Sequence, residues 1–255
     1  MRVRQIVLVA SDFDAVERDF ADLFGWQVAY RDPIVGKWGL RNIIIPVGGE
    51  FIEVVSPTQD ETSAGRHMAR IGGDGGYMVM IQVADRERET ARLVEQGVRV
   101  AYRSDQETYC LSQFHPADCG GLILAWEEVL HPDGRDWREA MGYWHAAGGH
   151  GWTRHVATAR VGSMKRVVLG NGPASALAAR YAQLLAGEVT NDDGERIIRI
   201  DGPALGFTDA DGGSVIRRID LEAHDRDAVL DVARKRNLLV NGEEVRVAGV
   251  NFRLI

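Results

Sequence analysis

Residues 4–25 read RQIVLVASDFDAVERDFADLFG, and residues 77–97 read YMVMIQVADRERETARLVEQG. In the first stretch Arg4–Ala10 is a β-branched, apolar run of strand length. Ser11-Asp12-Phe13-Asp14 follows with helix N-cap candidates, whose short polar side chains can accept from the unpaired N–H groups of a first turn. Val16, Phe20, Leu23 and Phe24 then recur at helical spacing until Gly25 stops the helix. The second stretch repeats the plan, with a strand over Tyr77–Val83, a cap at Asp85, a helix through Gln96 and a stop at Gly97. Val9-Ala10-Ser11-Asp12 falls on Gln82-Val83-Ala84-Asp85, so strand, cap and stop recur in register.

Working outward, three strands are expected after each helix. They are Trp26–Tyr30, Trp38–Val47 and Phe51–Ser56 in the first copy, with Gly48-Gly49 as a hairpin turn. In the second they are Val98–Tyr102, Thr108–Phe114 and Leu122–Glu127. A third copy reads Lys165–Leu169, a helix over Ala174–Ala186, Gly187, Arg196–Ile200 and Ala204–Thr208. A fourth reads Ile216–Ala223, a helix from Asp225, Leu238–Val240, Glu243–Val247 and Val250–Leu254, with Asn241-Gly242 as its hairpin signal. The fold class is therefore α+β, four β-α-β-β-β modules paired into two domains. The expected division is 1–128 (modules 1–57 and 76–128), a connector over 129–162, and 163–255 (modules 163–212 and 213–255). The connector holds Trp137, Trp144, Trp152, Tyr143, His131, His145, His150 and His155, too aromatic for a flexible linker, and is expected to pack back onto the domains. Two paired modules can curl their sheets around a cleft, and a small molecule is the partner such a concavity suits.

Bulk properties limit the alternatives. A chain of 255 residues, 45% apolar and 26% charged, can bury two cores. A net charge of −7 argues against a general nucleic-acid or anionic-membrane partner. Cys110 and Cys119 make no disulfide framework and fit a reducing compartment. No segment reaches the ~18–20 apolar residues of a membrane span, and the N-terminus reads as a strand rather than a signal peptide. A cytoplasmic protein is expected.

The opening strand and helix, together with EFIEVVSP at 50–57, Tyr30-Arg31-Asp32-Pro33-Ile34 and HPADCGGLILAWEE at 115–128, resemble the vicinal oxygen chelate superfamily of glyoxalase, bleomycin-resistance and extradiol-dioxygenase proteins. The resemblance is carried by residues 1–128 and is only structural over 163–255. It implies two glyoxalase-like domains. It also implies a single divalent metal held by a His or Gln and a Glu from the first and fourth strands of two paired modules. Here those places hold Gln5 and Glu53 in the first module but Met78 and Ala125 in the second, so half the set is missing. Glu127, two residues on, and His115, before Pro116 and the Gly120-Gly121 turn, are the substitutes at hand.

Glu53 is a charge in the middle of FIEVV, where a buried carboxylate needs either a partner or a task. His115 could exchange a proton at the cleft mouth or simply brace its turn. Asn42, Trp38, Tyr77, Met78 and Trp126 are the expected ligand-lining residues. Gly72–Gly76 lacks any nucleotide fingerprint, and His145 and His150 lack metal spacing. Arg166, Arg218 and Arg253 on the second domain's strands read either as a cationic pocket or as surface charge, and that domain reads as structural or as a homodimer surface. On this inventory the protein is a lyase or isomerase acting beside a carbonyl, with Glu53 and His115 as catalytic groups and Gln5 as ligand or orienting residue. The alternatives are a metal-free sequestering protein of the bleomycin-resistance kind and an extradiol-dioxygenase-like enzyme.

Overall fold

The computed structural model describes every residue except 131–135, 137 and 140, so the expectations for His131 and Trp137 lie outside the described residues. Two seven-stranded mixed sheets carry the fold. The first holds β1 (Arg2–Val9), β2 (Leu40–Val47), β3 (Glu50–Pro57), β4 (Gly75–Gln82), β5 (Val100–Asp105), β6 (Tyr109–Phe114) and β7 (Ile123–Val129) in the order β2-β3-β1-β4-β7-β6-β5. The second holds β8 (Val161–Leu169), β9 (Val189–Asp192), β10 (Glu195–Ile198), β11 (Ala204–Phe207), β12 (Ile216–Ala223), β13 (Glu244–Val247) and β14 (Val250–Leu254) in the order β13-β14-β12-β8-β11-β10-β9. The helices are α1 (Phe13–Phe24), α2 (Ser63–Ile71), α3 (Arg86–Glu95), α4 (Ala174–Leu185) and α5 (Arg226–Arg236).

In each sheet the first strands of two modules meet antiparallel at the centre, β1 on β4 and β8 on β12. Each then pairs in parallel with the last strand of its own module. The caps fall as read: Asp12 accepts from the N–H of Ala15, Asp85 from Arg88 and Asp225 from Ala228. Gly25 ends α1 in the left-handed region, where a side chain would be strained.

Two departures from the expected plan shape the site. Trp26–Tyr30 is not a strand: only Tyr30 bridges to Ile44, because Trp26 turns into an aromatic cluster with Phe20, Phe24 and Phe252 of the second sheet. The chain then forms a short 3₁₀ turn over Pro33–Trp38, so β2 starts at Leu40. Leu238–Val240 is likewise no strand, holding only the Leu239–Val245 bridge. A helix not foreseen, α2, lies between the first two modules; its N-cap Thr62 accepts from Gly65 N–H at 3.0 Å.

Strand alternation divides the first sheet into two faces. Ile6, Leu8, Ile43, Ile45, Ile52, Val54, Val79, Ile81, Leu124 and Trp126 join the helices in a core that runs into the second sheet. Val7, Val9, Ile44, Phe51, Val55, Met78, Met80, Leu111 and Ala125 face the other way. That second face is roofed by α2, by the 3₁₀ turn, and by the connector, whose Trp144, Ala147 and Trp152 are buried against Phe51. The connector thus packs on the first sheet. No described helix is long and apolar enough to cross a membrane.

Candidate functional site

The roofed face encloses a cavity of about 370 Å³. Gln5, Asn42, Glu53, Tyr77, Met78 and Trp38, each singled out from sequence, all line it. Tyr77 and Met78 are neighbours and still share the cavity, because the β1–β4 ladder shifts register beside Val7 and Leu8. A second shift, between Val3 and Gln5, lets Arg4 and Gln5 both serve this side. Arg4 is fully buried, its guanidinium 4.8 Å from the Trp144 ring centre and 5.3 Å from that of Phe51.

Glu53 sits at the polar end. One carboxylate oxygen accepts from Gln5 Nε2 at 2.7 Å and the other from Asn42 Nδ2 at 2.6 Å. Both amide orientations follow from the groups behind them. The indole N–H of Trp144 can only donate, and it meets Gln5 Oε1 at 3.3 Å. The backbone N–H of Asp32 can only donate, and it meets Asn42 Oδ1 at 2.8 Å. Each amide must therefore turn its NH₂ group toward Glu53. Burial pushes the Glu53 carboxyl up to about 7, although the two amide hydrogen bonds pull it down. The result is a carboxylate-shaped socket in an apolar setting, near its midpoint at neutral pH.

A second carboxyl lies behind the cavity wall. Glu127, fully buried, accepts from the hydroxyl of Tyr109, which itself lines the cavity. Burial pushes Glu127 up to about 8, and the same burial raises Tyr109 well above its ordinary value. The imidazole of His145, from the connector, stacks on the Tyr109 ring with centroids 4.5 Å apart and 9° between planes. Burial lowers the basicity of His145. At the mouth Trp38 meets Tyr102 edge to face at 5.6 Å, and Lys37 Nζ lies 4.2 Å over the Trp38 ring.

Two expected site residues lie elsewhere. Trp126 points from β7 into the opposite core, 5.6 Å from Phe114, because Ala125 and Glu127 take the cavity-side parity of that strand. His115 caps a short turn: its Nδ1 accepts from the N–H of Ala117 and from Arg99, both at 3.2 Å. It is absent from the cavity lining, and bracing the turn accounts for it. Cys119 is buried in the same turn, its thiol pushed up to about 12 by burial, so it is held as an unreactive thiol.

Sequence reading missed Tyr109, Met80, Ser63, Gln113 and His145. Met80 shares strand parity with Met78, and Tyr109 with Leu111 and Gln113, so period-two counting could have found these three. His145 and Ser63 reach the cavity through tertiary packing, for which no local signal exists.

The residues present do not fit the family's metal centre. Both oxygens of Glu53 already accept from amides, Gln5 turns its oxygen away toward Trp144, and Glu127, with Oε1 engaged by Tyr109, lies behind the cavity wall. The second module offers Met78, Met80 and Ala125. Among the described residues no three His, Cys, Asp or Glu side chains converge anywhere. In the second sheet Arg166 and Arg218 pair with Glu195, and Arg218 and Arg253 with Asp220, so the arginines are neutralised by carboxylates rather than facing an anion site. The N–H groups of Gly72 and Gly73 both cap α2 at Met68 O, and that of Gly76 goes to Ser214 Oγ at 2.8 Å.

The family model described as a glyoxalase-like domain matches residues 6–185, and the chain belongs to that family, within the vicinal oxygen chelate superfamily. A crystal structure of a hypothetical protein from Staphylococcus aureus is similar over the whole chain. It has a TM-score of 0.66 and 11% identity, covering 100% of this chain and 98% of that one. Methylmalonyl-CoA epimerase from Streptomyces coelicolor, in complex with 2-nitronate-propionyl-CoA, is 20% identical over 51% of this chain and 99% of that one, with a TM-score of 0.47. The epimerase from Mycobacterium tuberculosis is 21% identical over 52% and 89%, with a TM-score of 0.46. At these identities the likeness concerns fold alone. No curated protein matches the chain.

Proposed function

We propose that the protein is a general acid–base enzyme, an isomerase or lyase, acting on a carbonyl-bearing small molecule held in the first-sheet cavity. The observation that carries this reading is Glu53, a buried carboxylate lining the cavity, oriented by two amides and raised to about 7. A base with its midpoint near the working pH combines availability with driving force. In this mechanism Glu53 takes the proton from the carbon beside the carbonyl. The electron pair moves onto the carbonyl oxygen; with Glu127 protonated its carboxyl donates to the Tyr109 oxygen in place of accepting from it, which frees the Tyr109 O–H to turn and donate to the carbonyl oxygen. Return of the proton to carbon completes an isomerisation; loss of a leaving group from the next carbon completes a lyase reaction.

The test is deuterium incorporation from D₂O at the carbon beside the carbonyl, followed by proton NMR across a panel of small oxo-compounds. For any compound that exchanges, Glu53→Gln should slow exchange by about 100-fold or more. Exchange at the wild-type rate in a folded Glu53→Gln variant would remove Glu53 from the mechanism.

A sequestering protein is the second reading, favoured by the apolar and aromatic lining of Met78, Met80, Leu111, Trp38, Tyr102 and Tyr109. A compound that quenches Trp38 fluorescence at stoichiometric ratio yet never exchanges supports it. The dioxygenase reading gains nothing, since no metal-binding trio converges among the described residues.

A further inference from the structure

We propose that Trp144, on the connector, is a positioning residue for Glu53: its indole N–H, by donating to Gln5 Oε1, holds the Gln5 amide with its NH₂ group toward the carboxylate. The inference adds a residue from outside the repeated modules to the site, and its catalytic meaning rests on the reading of Glu53 as base.

The geometry leaves Gln5 two orientations. In the observed one, Nε2 lies 2.7 Å from Glu53 and Oε1 lies 3.3 Å from Trp144 Nε1. Turning the amide over sets its oxygen against a carboxylate oxygen, two acceptors, and its NH₂ against the indole N–H, two donors. Trp144 therefore adds a second mismatched contact to the wrong orientation, and Gln5 is buried where it would bear it. Removing the indole N–H leaves Glu53 alone to orient Gln5. A protonated Glu53 would accept either orientation, since it can donate to an amide oxygen.

Trp144 is itself held rigidly enough for the task. Its ring is fully buried, near-parallel to Phe51 at 6.1 Å and 11°, and lies over the Arg4 guanidinium. Its backbone closes a small loop, accepting from Gly149 N–H at 2.9 Å and donating to Gly149 O at 3.2 Å. On the opposite side, the backbone N–H of Asp32 does the same for Asn42. Glu53 is thus gripped by two amides whose directions are set by segments outside the strands.

The test uses the ligand-free full chain and the proton–nitrogen NMR signals of the Gln5 side-chain amide, assigned by their loss in Gln5→Met. In the wild type one Gln5 amide proton should be displaced downfield and slow to exchange with solvent. Two variants follow: Trp144→Phe, which keeps a ring on Phe51, and Trp144→benzothienylalanine, which keeps the fused ring and replaces the N–H with sulfur. At about pH 5.5, where Glu53 is protonated and takes either amide orientation, both should lose the displaced signal that the wild type keeps and exchange about 10-fold faster or more. An unchanged Gln5 signal in the folded benzothienylalanine variant overturns the proposal, as does a wild type with no displaced signal. Should Trp144→Phe lose its native dispersion, the benzothienylalanine variant decides, because it preserves the packing volume. The reading of Glu53 as base fails separately, through unaltered carbon exchange in Glu53→Gln, and leaves the amide signal where it was.

Discussion

Replacing Glu127 by Gln should change stability in a way that depends on pH. Glu127 is fully buried and its carboxyl is raised from 4.5 to about 8, chiefly by burial. The native state therefore keeps a proton that the unfolded chain releases. Stability must fall as pH rises between those two values, and the loss is complete above the native value. Each pH unit of that interval costs about 1.4 kcal/mol, so by pH 8.5 the carboxyl costs on the order of 4–5 kcal/mol relative to pH 4.5. Gln carries no titrating proton, keeps an oxygen for the Tyr109 hydroxyl, and has nearly the volume of a protonated Glu. At pH 5 the variant should melt within a few degrees of wild type. At pH 8.5 it should melt higher, on the order of 10 °C, taking about 2–4 °C per kcal/mol for a chain of this size. Circular-dichroism melts in matched ionic strength measure both. A gap of the same size at pH 5 and pH 8.5, or a variant less stable at high pH, would show that Glu127 does not hold a proton in the native state.

Three further outcomes are expected. If Glu53 is the base, kcat/KM on an exchanging compound should rise through a midpoint near 7, because burial holds the carboxyl there and only the ionised form accepts a proton; a flat profile from pH 5.5 to 8.5 speaks against it. Asn42→Leu removes a donor that favours the ionised form, so the same limb should move to higher pH, and a shift to lower pH would contradict the hydrogen-bond assignment. Cys119 is fully buried with its thiol raised to about 12, whereas Cys110 is half-buried, so a disulfide reagent should label Cys110 in the native protein and both thiols after denaturation.

The repeat was legible because strand, cap and stop are local signals. Asp12, Asp85 and Asp225 each announce a helix whatever surrounds them, and along any strand side chains two apart share a face. Gln5 and Glu53 were legible together through the resemblance, which assigns them to the first and fourth strands of the first module. The same parity, applied to β7, would have turned Trp126 away, since Ala125 and Glu127 already claim the cavity side. α2 was hidden because SAGRHMARI is only nine residues long and carries Gly65, a poor helix former, inside it. Trp26–Tyr30 looked like a strand, but Trp26 gains more by joining Phe20, Phe24 and Phe252 than by pairing along β2. His115 looked reactive because of its turn, and the turn itself is what uses it.

The modules supply the curved sheet, while much of the polar chemistry comes from segments that break their repetition. The Asp32 N–H belongs to the arm that fails to be a strand, Ser63 to the unforeseen helix, and Trp144 and His145 to the connector. A symmetric pair of modules would present equivalent groups from both halves. Here the first module contributes Gln5, Asn42 and Glu53, and the second contributes Met78, Met80, Leu111, Gln113 and the rings of Tyr77, Tyr102 and Tyr109. A ligand in this cavity meets one face rich in amides and a carboxylate and another made mainly of sulfur, aliphatic carbon and tyrosine rings. On the acid–base reading that asymmetry fixes its orientation: the acidic C–H lies toward Glu53, the carbonyl oxygen toward Tyr109, and the apolar remainder along Met78 and Met80, toward Trp38 at the mouth.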